Sequence, residues 1–469
     1  MVNLFVAREK ELKNLNVMYQ SNRFEMAVIY GRRRIGKTSL IKKFIEDKPA
    51  IYLQGIEATS ETNLRFLSEV IFSYENPNRI NKNRVFANFR EAFEEVQDIA
   101  DHQSEKLILV LDEYPYLAQS NRSISSILQY VIDHLFIEHA NIMLILCGSS
   151  MSFMEHQVLG YQSPLYGRRT GQLKLLPFNI FDVRKMLPKV AKEDLLVYYG
   201  ITGGVPQYLE FVDEKKTVQQ NIESLFLNQN AVLQNEPNIL LQQELRNPAT
   251  YFSILEAIAH GKNKNSEIMQ AIGFNGTNSI SQYLKNLLEL DIIERKQPIF
   301  ENNRRKFIYA IKDSLFKFWF KFIARKQDLI ALERTQGLLE EIMHELPRFL
   351  GPTFEKASAD WIWAQAELPL EPRTIKSWWG TNPILKRQEE VDLVAPNFDN
   401  SEIIIAECKW RNPDKLSHQM VDTLINRAAL IGEFNSIYYY VFVKKSNEDF
   451  DEYATNRGVK VVEYQNFFK

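Results

Sequence analysis

Residues 31–38 read Gly-Arg-Arg-Arg-Ile-Gly-Lys-Thr and match the phosphate-binding pattern G-x-x-x-x-G-K-[ST] in full. The apolar residues 26–30 predict a buried strand before this stretch, and residues 39–45 begin an amphipathic helix after it. A loop between a strand and a helix directs backbone N–H groups and the positive helix end at a polyphosphate. Gly31 and Gly36 allow a backbone path that a Cβ would obstruct. The stretch therefore predicts an α/β fold with a parallel sheet, as in P-loop NTPases.

The residue types of this loop indicate ATP and Mg²⁺ as cofactors. Lys37 would reach the β- and γ-phosphates, and Thr38 would be a ligand of Mg²⁺. Arginines 32–34 either add charge to the phosphates or project into solvent or towards acidic residues, and we favour the second interpretation. The predicted nucleotide-binding residues of the loop are Gly31, Arg34, Ile35, Gly36, Lys37, Thr38 and Ser39.

A second apolar strand, residues 106–113, ends in two carboxylates. Strands of a parallel sheet are apolar throughout because both faces are covered, and ligands gather at their C-terminal ends. Asp112 would hold Mg²⁺ through water, and Glu113 would orient or deprotonate the attacking water. A solvated acidic turn is the alternative, which a preceding phosphate-binding loop makes less favourable.

Two further positions follow along the chain. The strand-like residues 141–150 end in small polar residues. A hydroxyl there, for which we take Ser149, would sense the γ-phosphate and the attacking water, or else these residues form a turn or a helix N-cap. Arg168 and Arg169 lie beyond it. Either one would act as an arginine finger that stabilises transition-state charge, or the two form a solvated pair. We take Arg168 as the candidate catalytic residue.

The length and composition exclude several classes of protein. A chain of 469 residues predicts about three domains, and a net charge of -2 gives no overall attraction to nucleic acid. No apolar run reaches the roughly 18 residues of a membrane span, and no secretion signal is recognisable. Cys147 and Cys408 lie in apolar runs, which predicts buried free thiols in a reducing compartment and a cytoplasmic protein.

Residues 241–312 predict a winged helix. Three short amphipathic helices (residues 251–259, 266–272 and 277–290, the second capped by Ser266) precede two strand-like runs, residues 292–296 and 305–310. Such a unit either places its third helix in a DNA major groove or serves as a packing module, and we leave both open. The cations that would meet phosphates are Lys285, Arg295, Lys296, Arg304, Arg305 and Lys306.

The last part of the chain carries a second set of carboxylates. Asp392 lies in the strand-like residues 390–394, and Glu407 and Lys409 share one face of the strand 402–410. If the strands form a hairpin, the carboxylates would chelate Mg²⁺ and the lysine would activate water. This D…(D/E)-x-K arrangement resembles the restriction-endonuclease-like superfamily, in which the elements run α-β-β-β-α-β and Glu355 would be an extra metal ligand. A surface hairpin, or a domain that binds DNA without cutting it, is the alternative.

The whole pattern resembles the AAA+-like ATPases of the STAND and origin-recognition neighbourhood. More closely, it is similar to the archaeal and bacterial ATPases with a fused nuclease-like C-terminal domain. The resemblance implies that Arg8 and Glu9 lie near the adenine and that Pro206 belongs to a helical lid over the nucleotide. Ala7 stands where the family usually has glycine. The matching segments are residues 5–12, 31–38, 112–113, 149–150, 166–168 and 203–206.

The predicted organisation has four parts: an ATPase core (1–175), a helical lid (176–240), a winged helix (241–312) and a nuclease-like domain (313–469). The predicted function is that of a Mg²⁺-dependent ATPase whose nucleotide state controls engagement of DNA. Cleavage of DNA by Asp392, Glu407 and Lys409 is its most specific form. The alternative is an ATP-gated signalling or defence switch with an inactive C-terminal domain. Assembly into a nucleotide-dependent homo-oligomer is left open.

Overall fold

A computed structural model describes residues 5–75, 84–273, 280–303 and 305–469. The chain forms two compact units, Met1–Pro177 and Phe178–Lys469. Residues 277–279 of the third predicted middle helix and Arg304 of the predicted wing lie outside the described residues.

The first unit is built on a five-stranded sheet in the order β2-β3-β4-β1-β5, and every pairing is parallel. The strands are β1 (Glu25–Tyr30), β2 (Ala50–Gln54), β3 (Leu107–Asp112), β4 (Ile142–Gly148) and β5 (Gly171–Lys174). All residues of β1, β3 and β4 are buried, which explains why their sequences are continuously apolar. The predicted parallel sheet is confirmed.

Helices cover both faces of this sheet. They are α1 (Glu9–Tyr19), α2 (Lys37–Ile45), α3 (Ser60–Glu75), α4 (Phe89–Asp101), α5 (Tyr114–Ser120), α6 (Ile124–Val131) and α7 (Met151–Phe153). On one face Ala27 and Ile29 pack with Leu40 and Ile41 of α2. On the other face the core includes Phe93 of α4. The carboxyl ends of the central strands meet the start of α2 between these two cores.

The second unit begins with helices. They are α8 (Ile180–Met186), α9 (Lys192–Thr202), α10 (Pro206–Leu209), α11 (Val218–Phe226) and α12 (Glu236–Glu244). Gly203 and Gly204 both have positive φ angles, 68° and 80°, and turn the chain between α9 and α10.

The middle segment has the predicted order of three helices and a two-stranded ribbon. The elements are α13 (Pro248–Ala259), α14 (Asn265–Ala271), α15 (Ser281–Glu289), β6 (Ile293–Lys296) and β7 (Ile308–Ile311), and the strands pair antiparallel. The predicted Ser266 cap is wrong, because α14 begins at Asn265 and Ser266 lies inside its first turn.

Helices also lead into the last segment. They are α16 (Ser314–Phe318), α17 (Gln327–Ala331), α18 (Gln336–Phe349) and α19 (Gly351–Ala364). α16 packs against α9 and α18 against α11, so the residues that follow Asp313 contact the helices predicted as the lid. The four-part division of the chain stays a prediction.

The last elements form a mixed sheet in the order β12-β11-β10-β9-β8. They are β8 (Lys376–Asn382), β9 (Arg387–Pro396), β10 (Glu402–Lys409), α20 (His418–Ile431), β11 (Ser436–Val443), α21 (Glu448–Asn456) and β12 (Val459–Glu463). β8, β9 and β10 pair antiparallel, and β10, β11 and β12 pair parallel. From α19 to β11 the elements follow the expected α-β-β-β-α-β order.

Both cysteines are buried free thiols, as predicted. Across the described part of the chain, no helix combines the length and apolar character that crossing a membrane requires.

Candidate functional site

The loop between β1 and α2 has the backbone that the glycine pattern predicts. Arg34 and Gly36 adopt positive φ angles of 70° and 88°. A Cβ at Gly31 would lie 2.7 Å from the carbonyl oxygen of Leu175, which only glycine avoids. The loop then enters α2 at Lys37, so the first N–H groups of the helix lie beside it.

The Lys37 ammonium is held inside this loop. Its Nζ donates to the carbonyl oxygens of Gly31 and Arg32, each at 3.0 Å, and the residue is 6% exposed. Burial lowers the pKa of Lys37, because a cation is costly where water is excluded. A bound anion would offset that cost, since the Gly31 and Arg32 carbonyl groups that accept from Lys37 are neutral.

Thr38 and Asp112 lie side by side. Thr38 Oγ1 donates to Asp112 Oδ2 at 2.8 Å, and Asp112 is fully buried at the end of β3. A hydroxyl and a carboxylate are hard oxygen ligands of the kind that Mg²⁺ prefers, so these two residues fit the predicted metal.

Tyr52 is a site residue that the sequence analysis missed. Its hydroxyl donates to Asp112 Oδ2 at 2.6 Å, and burial together with this bond raises the pKa of Tyr52. Tyr52 lies on β2, the neighbour of β3. A tyrosine near the end of an apolar strand was the available signal, but its partner became apparent only with the strand order.

Glu113 and Ser149 are also brought together. The Ser149 hydroxyl and backbone N–H donate to Glu113 Oε2 at 2.9 Å and 3.3 Å. Glu113 has a positive φ of 50°, and this turn directs the chain from β3 into α5. Ser150 holds the cap position of α7, without a side-chain cap hydrogen bond, and the role of Ser149 towards a γ-phosphate stays a prediction. The neighbouring strands β3 and β4 thus deliver an acid and a hydroxyl to one place.

Arg8 links the segment before β1 to the loop. Its guanidinium donates to the carbonyl oxygens of Ile35 at 3.2 Å and of Leu176 at 2.7 Å, and pairs with Glu11 at 3.1 Å. Ala7 and Arg8 both have positive φ angles, 58° and 70°, which accounts for the usual glycine where Ala7 stands.

The remaining predicted nucleotide-binding residues are spread over three places. Glu9 starts α1 and Ser39 lies in the first turn of α2. Pro206 belongs to the second unit, at the first position of α10. Contact of these residues with a nucleotide stays a prediction.

Arg168 forms a two-pronged ion pair with Asp133. Its Nε and Nη2 donate to the two carboxylate oxygens at 2.7 Å and 2.6 Å, and Nη1 donates to the carbonyl oxygen of Pro164 at 2.8 Å. Arg169 donates to the carbonyl oxygen of Leu159 at 3.1 Å. Both arginines therefore have protein partners, and Arg168 would have to leave Asp133 to contact a phosphate.

The basic residues of the middle segment have local partners as well. Lys285 pairs with Glu289 at 3.6 Å, and Lys306 pairs with Glu301 at 2.7 Å. The Arg295 guanidinium lies over the Phe307 ring, 4.7 Å from its centre. These contacts are on the surface, where ion pairs contribute little energy, so they leave the prediction of DNA contact untested.

In the second unit, Asp392, Glu407 and Lys409 meet as the sequence predicts. Lys409 Nζ lies 2.5 Å from Glu407 Oε1 and 3.4 Å from Asp392 Oδ2. Asp392 Oδ2 also accepts the backbone N–H of Cys408 at 2.7 Å. The antiparallel pairing of β9 with β10 creates this arrangement.

Arg427 and Glu389 complete the cluster and were missed. Arg427 of α20 donates to Glu407 Oε2 at 3.3 Å and to Glu389 Oε2 at 2.9 Å. Glu389 pairs with Arg387 as well. Nothing in the local sequence marks Arg427, because its role follows from the packing of α20 on the sheet.

The electrostatics of this cluster are strongly perturbed. Burial and the charge of Asp392 raise the pKa of Glu407, and the same two causes raise the pKa of Glu355 on α19 to about 8. Burial alone would lower the pKa of Lys409, but Asp392 and Glu407 raise it. Four carboxylates, Asp392, Glu407, Glu355 and Glu390, thus influence one small region.

The metal ligands predicted for this second site do not form a recognisable metal-binding group in the described residues. Among the described residues, no three or more His, Cys, Asp and Glu side chains are arranged to hold a metal ion. Lys409 and Arg427 lie against the Glu407 oxygens instead. Asp392 and Glu407 have the right oxygen chemistry, and Glu355 as a further metal ligand stays a prediction.

Two family descriptions match the chain. Residues 5–212 match an ATPase domain predominantly from Archaea, and residues 319–422 match a family described as archaeal and bacterial proteins of unknown function. Together with the parallel sheet and the loop geometry, the first match defines the class: the protein carries a P-loop ATPase domain.

The particular family follows from a full-length relative. The uncharacterized protein MJECL04 of Methanocaldococcus jannaschii is 34% identical over 450 residues, which is 95% of this chain and 96% of that protein. The chain belongs to the same family as MJECL04.

Solved structures are similar to the chain as well. The Walker-type ATPase PABY2304 of Pyrococcus abyssi has a TM-score of 0.50 at 21% identity, covering 68% of this chain and 96% of that one. The Aeropyrum pernix ORC2 protein has a TM-score of 0.47 at 16% identity, over 73% and 98% of the two chains.

Proposed function

We propose that the protein is a Mg²⁺-dependent ATPase whose nucleotide state controls its engagement of DNA. The observation that carries the proposal is the meeting of Lys37, Thr38, Asp112, Glu113 and Ser149 at the carboxyl ends of three neighbouring strands. The match to an archaeal ATPase domain over residues 5–212 supports the ATPase part of this proposal.

Each of these residues has a distinct role in the proposed reaction. The loop N–H groups and Lys37 bind the β- and γ-phosphates and offset their charge. Thr38 and Asp112 would hold Mg²⁺, which would supply positive charge to offset that of the phosphates. Glu113 orients the attacking water and takes up its proton, for which it must exchange the Ser149 hydrogen bonds for the water.

Glu113→Gln tests the hydrolytic role. The amide cannot accept the proton of water, so phosphate release should fall by about 100-fold or more, with ATP binding retained. Calorimetry measures the binding and a phosphate assay the turnover. Glu138→Gln, at an exposed position of the same unit, is the matched control and should behave as wild type.

Lys37→Ala tests the binding role. Because the ammonium is replaced by a methyl group inside the loop, calorimetry should show ATP binding lost or weakened by about 100-fold or more. Wild-type affinity in this variant, or an absence of ATP binding by folded wild-type protein, would contradict the proposed site.

DNA is proposed as the target because the same chain holds a cluster of residues of the kind that acts on phosphodiester bonds. The Lys409 ammonium lies 3.4 Å from an oxygen of Asp392 and 2.5 Å from an oxygen of Glu407. In the cleavage form of the proposal, Asp392 and Glu407 would hold Mg²⁺, and Lys409 would stabilise charge on the attacked phosphate.

Plasmid nicking with Mg²⁺ and ATP tests cleavage. Wild type should nick the plasmid, Asp392→Ala should not, and Asp414→Ala, an exposed control in the same region, should match wild type. Equal nicking by all three proteins would place the activity elsewhere, and nicking by none would reject cleavage.

The second candidate is an ATP-gated switch that works through protein assembly. The pairing of Lys409 and Arg427 with the acidic residues favours it, because these cations already neutralise Glu407. ATP-dependent self-association measured by light scattering, with no salt-sensitive affinity for DNA, would support the switch over the DNA proposal.

A further inference from the structure

The chain between β6 and β7 docks on the C-terminal sheet. The Ile299 backbone N–H donates to the carbonyl oxygen of Ser377 on β8 at 3.0 Å. The Ile299 side chain is 6% exposed and belongs to the hydrophobic cluster that contains Val391 and Val394 of β9. Val391 directly precedes Asp392 and Val394 follows it by two positions, so the docked segment packs on the part of β9 that carries Asp392.

Further contacts hold the segment in shape. The Phe300 ring lies 6.0 Å from that of Phe434, which follows α20. Gln297 Nε2 donates to the carbonyl oxygens of Glu301 and Asn303 at 3.2 Å and 2.8 Å. The described residues 297–303 of this connection are therefore anchored on the sheet.

Lys296 is the last residue of β6 and lies three positions before Ile299, whose side chain packs in the same cluster as Val391, the residue before Asp392. Its positive charge lowers the pKa of Glu355 and of Glu390, which burial raises, so the cation acts on α19 and β9 together. Its Nζ lies 3.9 Å from Glu294 Oε1. Because its side chain is 43% exposed, Lys296 remains accessible to solvent beside this partner.

We infer that Lys296 is a phosphate-contacting residue of the C-terminal site, delivered to it by the docked hairpin. The inference rests on the proposed engagement of DNA and names a residue of that site. Acidic residues repel a DNA backbone, and Lys409 and Arg427 are paired with them already. Lys296 supplies a cation at the edge of the cluster, where a backbone phosphate next to Asp392 would arrive.

The salt dependence of DNA binding tests this role. Lys296→Gln should weaken binding by about three- to tenfold and reduce the slope of log affinity against log salt by about 1, because one phosphate contact is lost. Lys296→Arg should restore both values. Lys312→Gln is the matched control and should bind DNA as wild type does, since Lys312 directly follows β7 and pairs with Asp291 at 3.0 Å.

A second variant tests the delivery. Ile299→Ala keeps Lys296 but removes the apolar anchor, so it should weaken DNA binding while ATP hydrolysis stays at the wild-type rate. If Ile299→Ala binds DNA with wild-type affinity, the docked segment does not position Lys296 at the C-terminal site, and that part of the inference is overturned.

The other outcomes are distinguishable. An unchanged affinity and slope in Lys296→Gln would overturn the inference and leave the proposed function standing. Tighter binding or faster nicking by Lys296→Gln would also overturn it, because Lys296 would then act as an internal blocker of the carboxylates. A wild-type protein without affinity for DNA would remove the proposed function and this inference together.

Discussion

Gly204 and Gly261 have nearly the same backbone conformation, with φ angles of 80° and 84°, but different surroundings. A Cβ at Gly204 would overlap the carbonyl oxygen of Phe178, whereas a Cβ at Gly261 would have nothing within 4 Å. We expect Gly261→Ala to cost only the left-handed strain of about 1 kcal/mol. Gly204→Ala should lower the melting temperature clearly more, and thermal unfolding of both variants measures the difference. Equal losses would show that the turn relaxes around a methyl group.

The lowered pKa of Lys317 should make the stability of the folded protein depend on pH. Burial, and then the charge of Lys296, lower the pKa of Lys317 in the folded protein from 10.5 to about 8. Between pH 8 and 10.5 the unfolded chain therefore binds more protons at this residue, so its contribution to stability rises with pH. We expect Lys317→Met to have a higher melting temperature than wild type at pH 7. The difference between the two melting temperatures should decrease between pH 8 and 10.5. A gap in melting temperature that does not change with pH would contradict the lowered pKa.

Single residues were predictable where a motif specifies chemistry at a fixed spacing. Lys37, Thr38 and Asp112 follow from such patterns, and the structure places Thr38 against Asp112. Tyr52 and Arg427 were missed because each acts through a neighbour that is distant in the sequence. Strand pairing brings Tyr52 to its site, and helix packing brings Arg427 to its site. Neither position is marked by a local sequence pattern.

Among secondary-structure elements, the strands of the two sheets were the easiest to predict. β1, β3 and β4 are apolar because helices cover both faces, and β10 (Glu402–Lys409) ends one residue before the predicted strand 402–410. Helix ends were harder, since α14 begins at Asn265 without the expected serine cap. The docking of the β6–β7 connection on β8 had no sequence signal, because one buried isoleucine and a backbone hydrogen bond carry it.

The connection between β4 and β5 carries a test of the arginine finger. Arg168→Ala and Asp133→Ala both break the same ion pair and should destabilise the first unit similarly. If Arg168 stabilises transition-state charge, Arg168→Ala should lower ATP hydrolysis by about 1,000-fold. Asp133→Ala should keep hydrolysis because it leaves the arginine available. Equal hydrolysis rates in the two variants would assign Arg168 a structural role.

For the molecule as a whole, the proposed function requires coupling between ATP and DNA. If ATP changes the affinity for DNA by some factor, DNA must change the affinity for ATP by the same factor. A typical coupling of about 1–3 kcal/mol corresponds to about 5- to 150-fold. Glu113→Gln allows both affinities to be measured without turnover. Two affinities that do not respond to each other would show that the nucleotide does not control DNA engagement.

The buried position of Ile299 has a practical consequence for anyone who divides this polypeptide into fragments. A truncated protein that starts at residue 313 would lack this isoleucine and expose the apolar surface around Val391 and Val394 to water. It would also separate α16 and α18 from the helices against which they pack. Such a fragment should aggregate on expression, whereas one that starts at Phe178 keeps these interactions and is the better choice for crystallisation.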